Sequence, residues 1–88
     1  MGILYQTRGD PDAAEKMYRK SLAIEEALGR KEGMASDYGN LGNLYRTRDD
    51  LDAAEDMYRK GLALFREVGA NPQIEQVEEL FADLRKPD

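Results

Sequence analysis

Asp12-Ala13-Ala14-Glu15-Lys16-Met17-Tyr18-Arg19-Lys20-Ser21-Leu22-Ala23 is answered, forty residues on, by Asp52-Ala53-Ala54-Glu55-Asp56-Met57-Tyr58-Arg59-Lys60-Gly61-Leu62-Ala63. The two stretches differ only where Lys16 faces Asp56 and Ser21 faces Gly61. The echo runs outward on both sides without a gap: Leu4-Tyr5 returns as Leu44-Tyr45, Thr7-Arg8 as Thr47-Arg48, and Gly2, Asp10 and Gly29 as Gly42, Asp50 and Gly69. From Gly2 to Gly29, 17 of 28 positions match the residue 40 places later. Identity at that density over one fixed shift marks a tandem array, in which each unit buries its apolar face against the next.

Each unit reads as two helices. Leu51, Ala54, Tyr58, Gly61, Leu62, Phe65 and Val68 recur at helical spacing and form one apolar stripe. Asp50 suits an N-cap, and acidic Asp52 follows in the first turn, where the helix dipole favours it. In the first unit Asp10 takes the cap position and Pro11 the first helical turn. Gly29 and Gly69 punctuate the helix ends. Between them the spacing predicts a helix from Met34 to Arg46 with Tyr38, Leu41, Gly42, Leu44 and Tyr45 on its buried side. Ile74, Glu78, Phe81, Ala82 and Leu84 repeat the register of Met34, Tyr38, Leu41, Gly42 and Leu44 more weakly, opened by Pro72 and ended by Pro87. A half-polar last helix suits the lid of a stack. The expectation is an all-α solenoid of antiparallel helix pairs in one domain, with a partial repeat at 1–29, a full repeat at 30–69 and a capping helix at 70–88.

Composition narrows function by subtraction. The chain has no His and no Cys, which removes the commonest general base, the thiol nucleophile, disulfides and the usual zinc and iron–sulfur ligand sets. Thirteen basic against 18 acidic residues leave a net charge of -5, which opposes binding to phosphate backbones. The longest apolar run, Leu62-Ala63-Leu64-Phe65, falls far short of the ~18 residues of a membrane span. Gln6 stands where a myristoylation signal after Gly2 needs Ser or Thr. The expected profile is therefore a non-enzymatic cytoplasmic protein with no cofactor and no metal, acting on neither nucleic acid nor membrane.

Tyr38-x-x-Leu41-Gly42-x-x-Tyr45 followed by Ala54-x-x-x-Tyr58 resembles the tetratricopeptide repeat pattern W-x-x-L-G-x-x-Y…A-x-x-x-F, with Tyr in the places of Trp and Phe. The first unit supplies Gly2-x-x-Tyr5 and Ala14-x-x-x-Tyr18. The period is 40 where the family's common form has about 34, and the usual Pro near the end of the second helix is absent, which implies longer helices. Long repeats containing Tyr38-Gly39-Asn40-Leu41-Gly42-Asn43-Leu44-Tyr45 are similar to those of kinesin light chains, Pins-type polarity scaffolds and many bacterial arrays. Met1 stands where Leu41 stands in the next unit, so the expected opening helix lacks its first half, as in a fragment of a larger array.

The resemblance implies a protein-interaction scaffold whose first helices line a concave groove for a partner segment. Ser36, Asn40, Asn43 and Thr47, spaced by four, three and four, form one stripe on the middle helix, flanked by Gly39 and Arg46. In the long-repeat relatives, Asn residues at the places of Asn40 and Asn43 hydrogen-bond ligand backbones, since a carboxamide donates and accepts at once. Arg46 suits a ligand carboxylate. The competing reading is that both Asn residues bond only to neighbouring helix turns or solvent. Ile3 stands at the second Asn position of the first unit, and Leu80 and Asp83 stand at both positions of the last helix, so one Asn row is complete.

Other clusters have plainer readings. Asp10, Asp12, Asp49, Asp50 and Asp52 sit at helix starts as caps, and Arg19-Lys20 and Arg59-Lys60 read as a solvated outer face or a docking patch. Ser21 and Ser36 have no base that the sequence identifies. A second function class remains, self-assembly. The short segment Met1–Arg8 cannot cover the following helix, which leaves an apolar strip around Tyr18, Leu22 and Leu28 for a homodimer or higher oligomer built through Met1–Leu28.

Overall fold

The computed structural model describes residues 11–84. Four helices follow one another through short links: α1 (Pro11–Leu28), α2 (Lys31–Thr47), α3 (Leu51–Val68) and α4 (Asn71–Asp83). α1 packs on α2, α2 on α3 and α3 on α4, so sequence neighbours are spatial neighbours. Among the described residues there is no strand, and the architecture is the all-α stack of helix pairs. The opening half-helix at Met1–Arg8, the Asp10 cap and the stop at Pro87 lie outside the described residues.

All three links use one device. Gly29 and Gly69 adopt left-handed φ values of 69° and 71°. The next N–H then reaches the carbonyl five residues back, from Arg30 to Glu25 at 2.9 Å and from Ala70 to Phe65 at 3.0 Å. This satisfies carbonyls that a helix end otherwise leaves unpaired. The middle link copies the geometry with Asp49 at φ 65°, and the Asp50 N–H donates to the Tyr45 carbonyl at 2.9 Å. Asp50 then caps α3 by accepting from the Ala53 N–H at 3.3 Å. α2 starts at Lys31, three residues earlier than the apolar spacing suggests and without a side-chain cap.

α3 is the centre of the packing, held between α2 and α4. Ala54 and Tyr58 are fully buried, with Gly61, Leu62 and Phe65 on the same face. The Tyr58 ring lies over Gly42, where an added Cβ would stand 2.5 Å from the ring, so this crossing requires glycine. Three expectations need correction. Val68 ends its stripe 42% exposed, because it is the last residue of α3, where the helix runs out into the link to α4. Met57 and Ala35, outside the expected core, are buried. The open apolar strip on α1 runs through Met17, Ile24 and Leu28, at 70%, 55% and 57% exposure, because Leu22 is buried and Tyr18 packs against the core.

Candidate functional site

Ser36, Asn40 and Asn43 are exposed on α2 and open onto a groove between α2 and α4. Its inner part encloses about 280 Å³, with Gln73, Gln76 and Leu80 of α4 on the facing wall and buried Phe65 and Val77 beneath. An outer part of about 310 Å³ shares Asn43, Gln76 and Leu80 and adds Glu79 and Asp83. The facing wall is the stripe's own echo, since forty residues after Ser36, Asn40 and Asn43 come Gln76, Leu80 and Asp83. The groove therefore combines an apolar floor with hydroxyl and carboxamide walls. Carboxamides can pair with both the N–H and the C=O of an extended backbone.

The stripe residues differ in how far the protein already uses them. The Tyr58 hydroxyl donates to Asn43 Oδ1 at 2.5 Å, which leaves the amide N–H groups as the donors of Asn43. Asn43 thus bonds to a core side chain and also lines the groove wall. Burial pushes the Tyr58 phenol above its ordinary value, against the opposing pull of the nearby Arg46 guanidinium. Arg46 is exposed near that hydroxyl but lines neither part of the groove. Thr47 also stands outside, its hydroxyl donating to the Asn43 carbonyl at 3.0 Å. The structure thus brings Ser36, Asn40 and Asn43 together on the groove and sets Arg46 and Thr47 at its margin.

A second polar cluster joins α1 to α2. The Tyr45 hydroxyl donates to Glu15 at 2.5 Å and accepts from Arg19. Arg48 donates to Glu15 at 3.1 Å and to Asp12 at 2.8 Å. The Tyr45 hydroxyl, ahead of Arg19 and Arg48, holds the Glu15 carboxyl below its ordinary value. The outer pair Arg59-Lys60 stitches neighbouring helices, with Arg59 5.7 Å from the Phe81 ring centre and Lys60 5.8 Å from that of Tyr38.

Ser21 has a neighbour that the sequence did not reveal: its hydroxyl donates to Asp37 at 3.0 Å. Asp37 is buried, and that burial raises its carboxyl above the ordinary aspartate value, helped by the charge of Glu25 and opposed by the Ser21 bond. The pair lies at the α1–α2 contact and lines neither part of the groove. The acidic helix starts hold no converging ligand set among the described residues, where Asp50 caps α3 and Asp12 pairs with Arg48. Among the same residues no helix is long and apolar enough to cross a membrane. Gln73 and Gln76 are the wall residues that sequence reasoning missed, although the forty-residue shift from Gly33 and Ser36 points to both.

The family profile described as tetratricopeptide repeat matches residues 1–67. No curated protein and no solved structure gives a significant match.

Proposed function

The chain belongs to the tetratricopeptide repeat family, and from that premise we propose that it is a non-catalytic scaffold gripping an extended partner segment between α2 and α4. Tetratricopeptide repeats generally mediate protein–protein interaction. One observation carries the reading to this chain: the stripe Ser36–Asn40–Asn43 faces Gln73 and Gln76 across an open groove with an apolar floor. Selection from a displayed peptide library tests it. Selected peptides should lose binding to Asn40→Ala and Gln76→Ala proteins that keep wild-type helicity and melting. Peptides that bind both variants undiminished contradict the groove.

A second reading, self-assembly, draws on a different observation, the exposed ridge Met17–Ile24–Leu28. Spacings of seven and four place these residues on one face of α1. Exposed apolar patches mark interfaces. Sedimentation velocity across concentrations should show association that Ile24→Glu abolishes. A monomer at every concentration removes this reading and leaves the first intact.

A further inference from the structure

We propose that Gly39 is a gap in the α2 wall through which one apolar side chain of the partner reaches the groove floor. The proposal rests on the groove reading above and adds how the occupant is anchored. Every other glycine among the described residues has a structural reason. Gly29 and Gly69 hold left-handed turns, a Cβ on Gly33 would run into Glu25, and one on Gly42 would stand 2.5 Å from the Tyr58 ring. Gly61 takes up the close approach of α3 to α2, where a Cβ would lie 3.2 Å from the Ala35 carbonyl. A Cβ on Gly39 would meet nothing within 4 Å among the described residues, and its φ is not positive. Yet Gly39 stands in the interior of α2, where glycine is the least favourable residue after proline. Packing and backbone geometry therefore give no reason for it.

The groove does. Gly39 lines its inner part, with Ser36 about one turn before it, Asn40 beside it and Asn43 about one turn after. Side chains able to hold a main chain thus surround a spot on α2 that carries none. Beneath lie Phe65 and Val77, only 3% and 6% exposed, as the apolar floor. A side chain at position 39 would enter this open space and screen the floor, whereas glycine leaves the way to it clear. The occupant that fits is an apolar side chain on an extended segment, with its flanking backbone left to the carboxamides. The competing account is that glycine is merely tolerated at this point of the helix.

Peptides selected on the wild-type protein from a random displayed library, then labelled for fluorescence anisotropy, separate these accounts. They should share one apolar residue, and its replacement by Ala should weaken binding about tenfold or more, as loss of a buried side chain does. Gly39→Leu should weaken the parent peptide by a similar factor and bind parent and Ala-replaced peptides alike, because the introduced side chain fills the gap. Gly39→Ala should weaken the parent peptide less, while raising the folded-to-unfolded ratio about fourfold in urea titrations, since Ala is the better helix former. A firmer fold with weaker binding is a pair of changes that a structural glycine does not give. Undiminished binding to Gly39→Leu by peptides that Asn40→Ala loses would overturn the anchor and leave the groove standing. A Gly39→Ala protein less stable than wild type would overturn it too, by giving the glycine a structural role. Peptides that bind Asn40→Ala and Gln76→Ala undiminished would overturn the groove reading along with it.

Discussion

α1 and α3 are built from nearly the same twelve residues and end in different surroundings. Met17 is 70% exposed where Met57 is 9%, and Tyr18 is partly covered where Tyr58 is fully buried. α3 has α2 on one side and α4 on the other, whereas among the described helices α1 packs chiefly on α2. Tyr45 and Tyr58 sharpen the contrast. The first puts its hydroxyl into an ionic cluster with Glu15 and Arg19, the second onto one groove carboxamide. A repeated stripe states which face can be buried, and the neighbours decide which residues of that face are. Stability should accordingly be concentrated in α3.

The largest expected difference is between the two echoing tyrosines. Tyr58→Ala should cost ~3–5 kcal/mol, as buried aromatic truncations do. Tyr18→Ala should cost about half as much, since less of its ring leaves water. Urea unfolding of the two variants checks this, and equal losses would mean that α1 is as well covered as α3. The methionines sharpen it. Met57→Ala should cost about 2–3 kcal/mol, while Met17→Ala should stay within about 0.5 kcal/mol, as exposed substitutions do. A larger Met17 effect that grows with protein concentration would place a second chain on α1.

How much of this was legible in the sequence depends on periodicity. The helix pairs, the Gly29 and Gly69 turns and the Gly42 and Tyr58 positions repeat under the forty-residue shift, and the stripe Ser36–Asn40–Asn43 recurs at helical spacing. Asp49 escapes because no glycine announces its left-handed turn. Asp37 escapes because a carboxylate argues for solvent, and its echo Val77 is the apolar residue that such a buried site ordinarily holds. The bond from Tyr58 to Asn43 escapes because it spans two helices and depends on their crossing. Gln73 and Gln76 were within reach of the shift, but amides on a polar face carry no pattern of their own.

Smaller effects test the division of labour within the groove. Asn43→Ala should cost about 1 kcal/mol, because the buried Tyr58 hydroxyl loses its acceptor. Asn40→Ala should stay within about 0.5 kcal/mol. Thermal melts of both would decide, and equal stability would mean that the Tyr58–Asn43 bond contributes nothing.

The smallest effect concerns one of the two positions where the echoing stretches differ, Ser21 against Gly61. Asp37, bonded to Ser21, has its carboxyl raised by burial, so the fold binds that proton more tightly than the unfolded chain. Its contribution to stability is complete below the ordinary aspartate value of about 3.9 and is lost as pH rises through the folded value. Glu15, lowered by the Tyr45 hydroxyl, behaves in the opposite sense, and its contribution is lost as pH falls below the ordinary glutamate range. Denaturation as a function of pH should show Asp37→Asn gaining on wild type as pH rises above about 4, and a parallel pair of curves would deny the burial effect.

The central claim is that partners enter between α2 and α4, and amide NMR during titration with a library-selected peptide tests it most directly. The account predicts that shifts concentrate at Asn40, Gln73, Gln76 and Leu80, with Met17, Ile24 and Leu28 unmoved. Shifts confined to Met17, Ile24 and Leu28, with the groove silent, would contradict it.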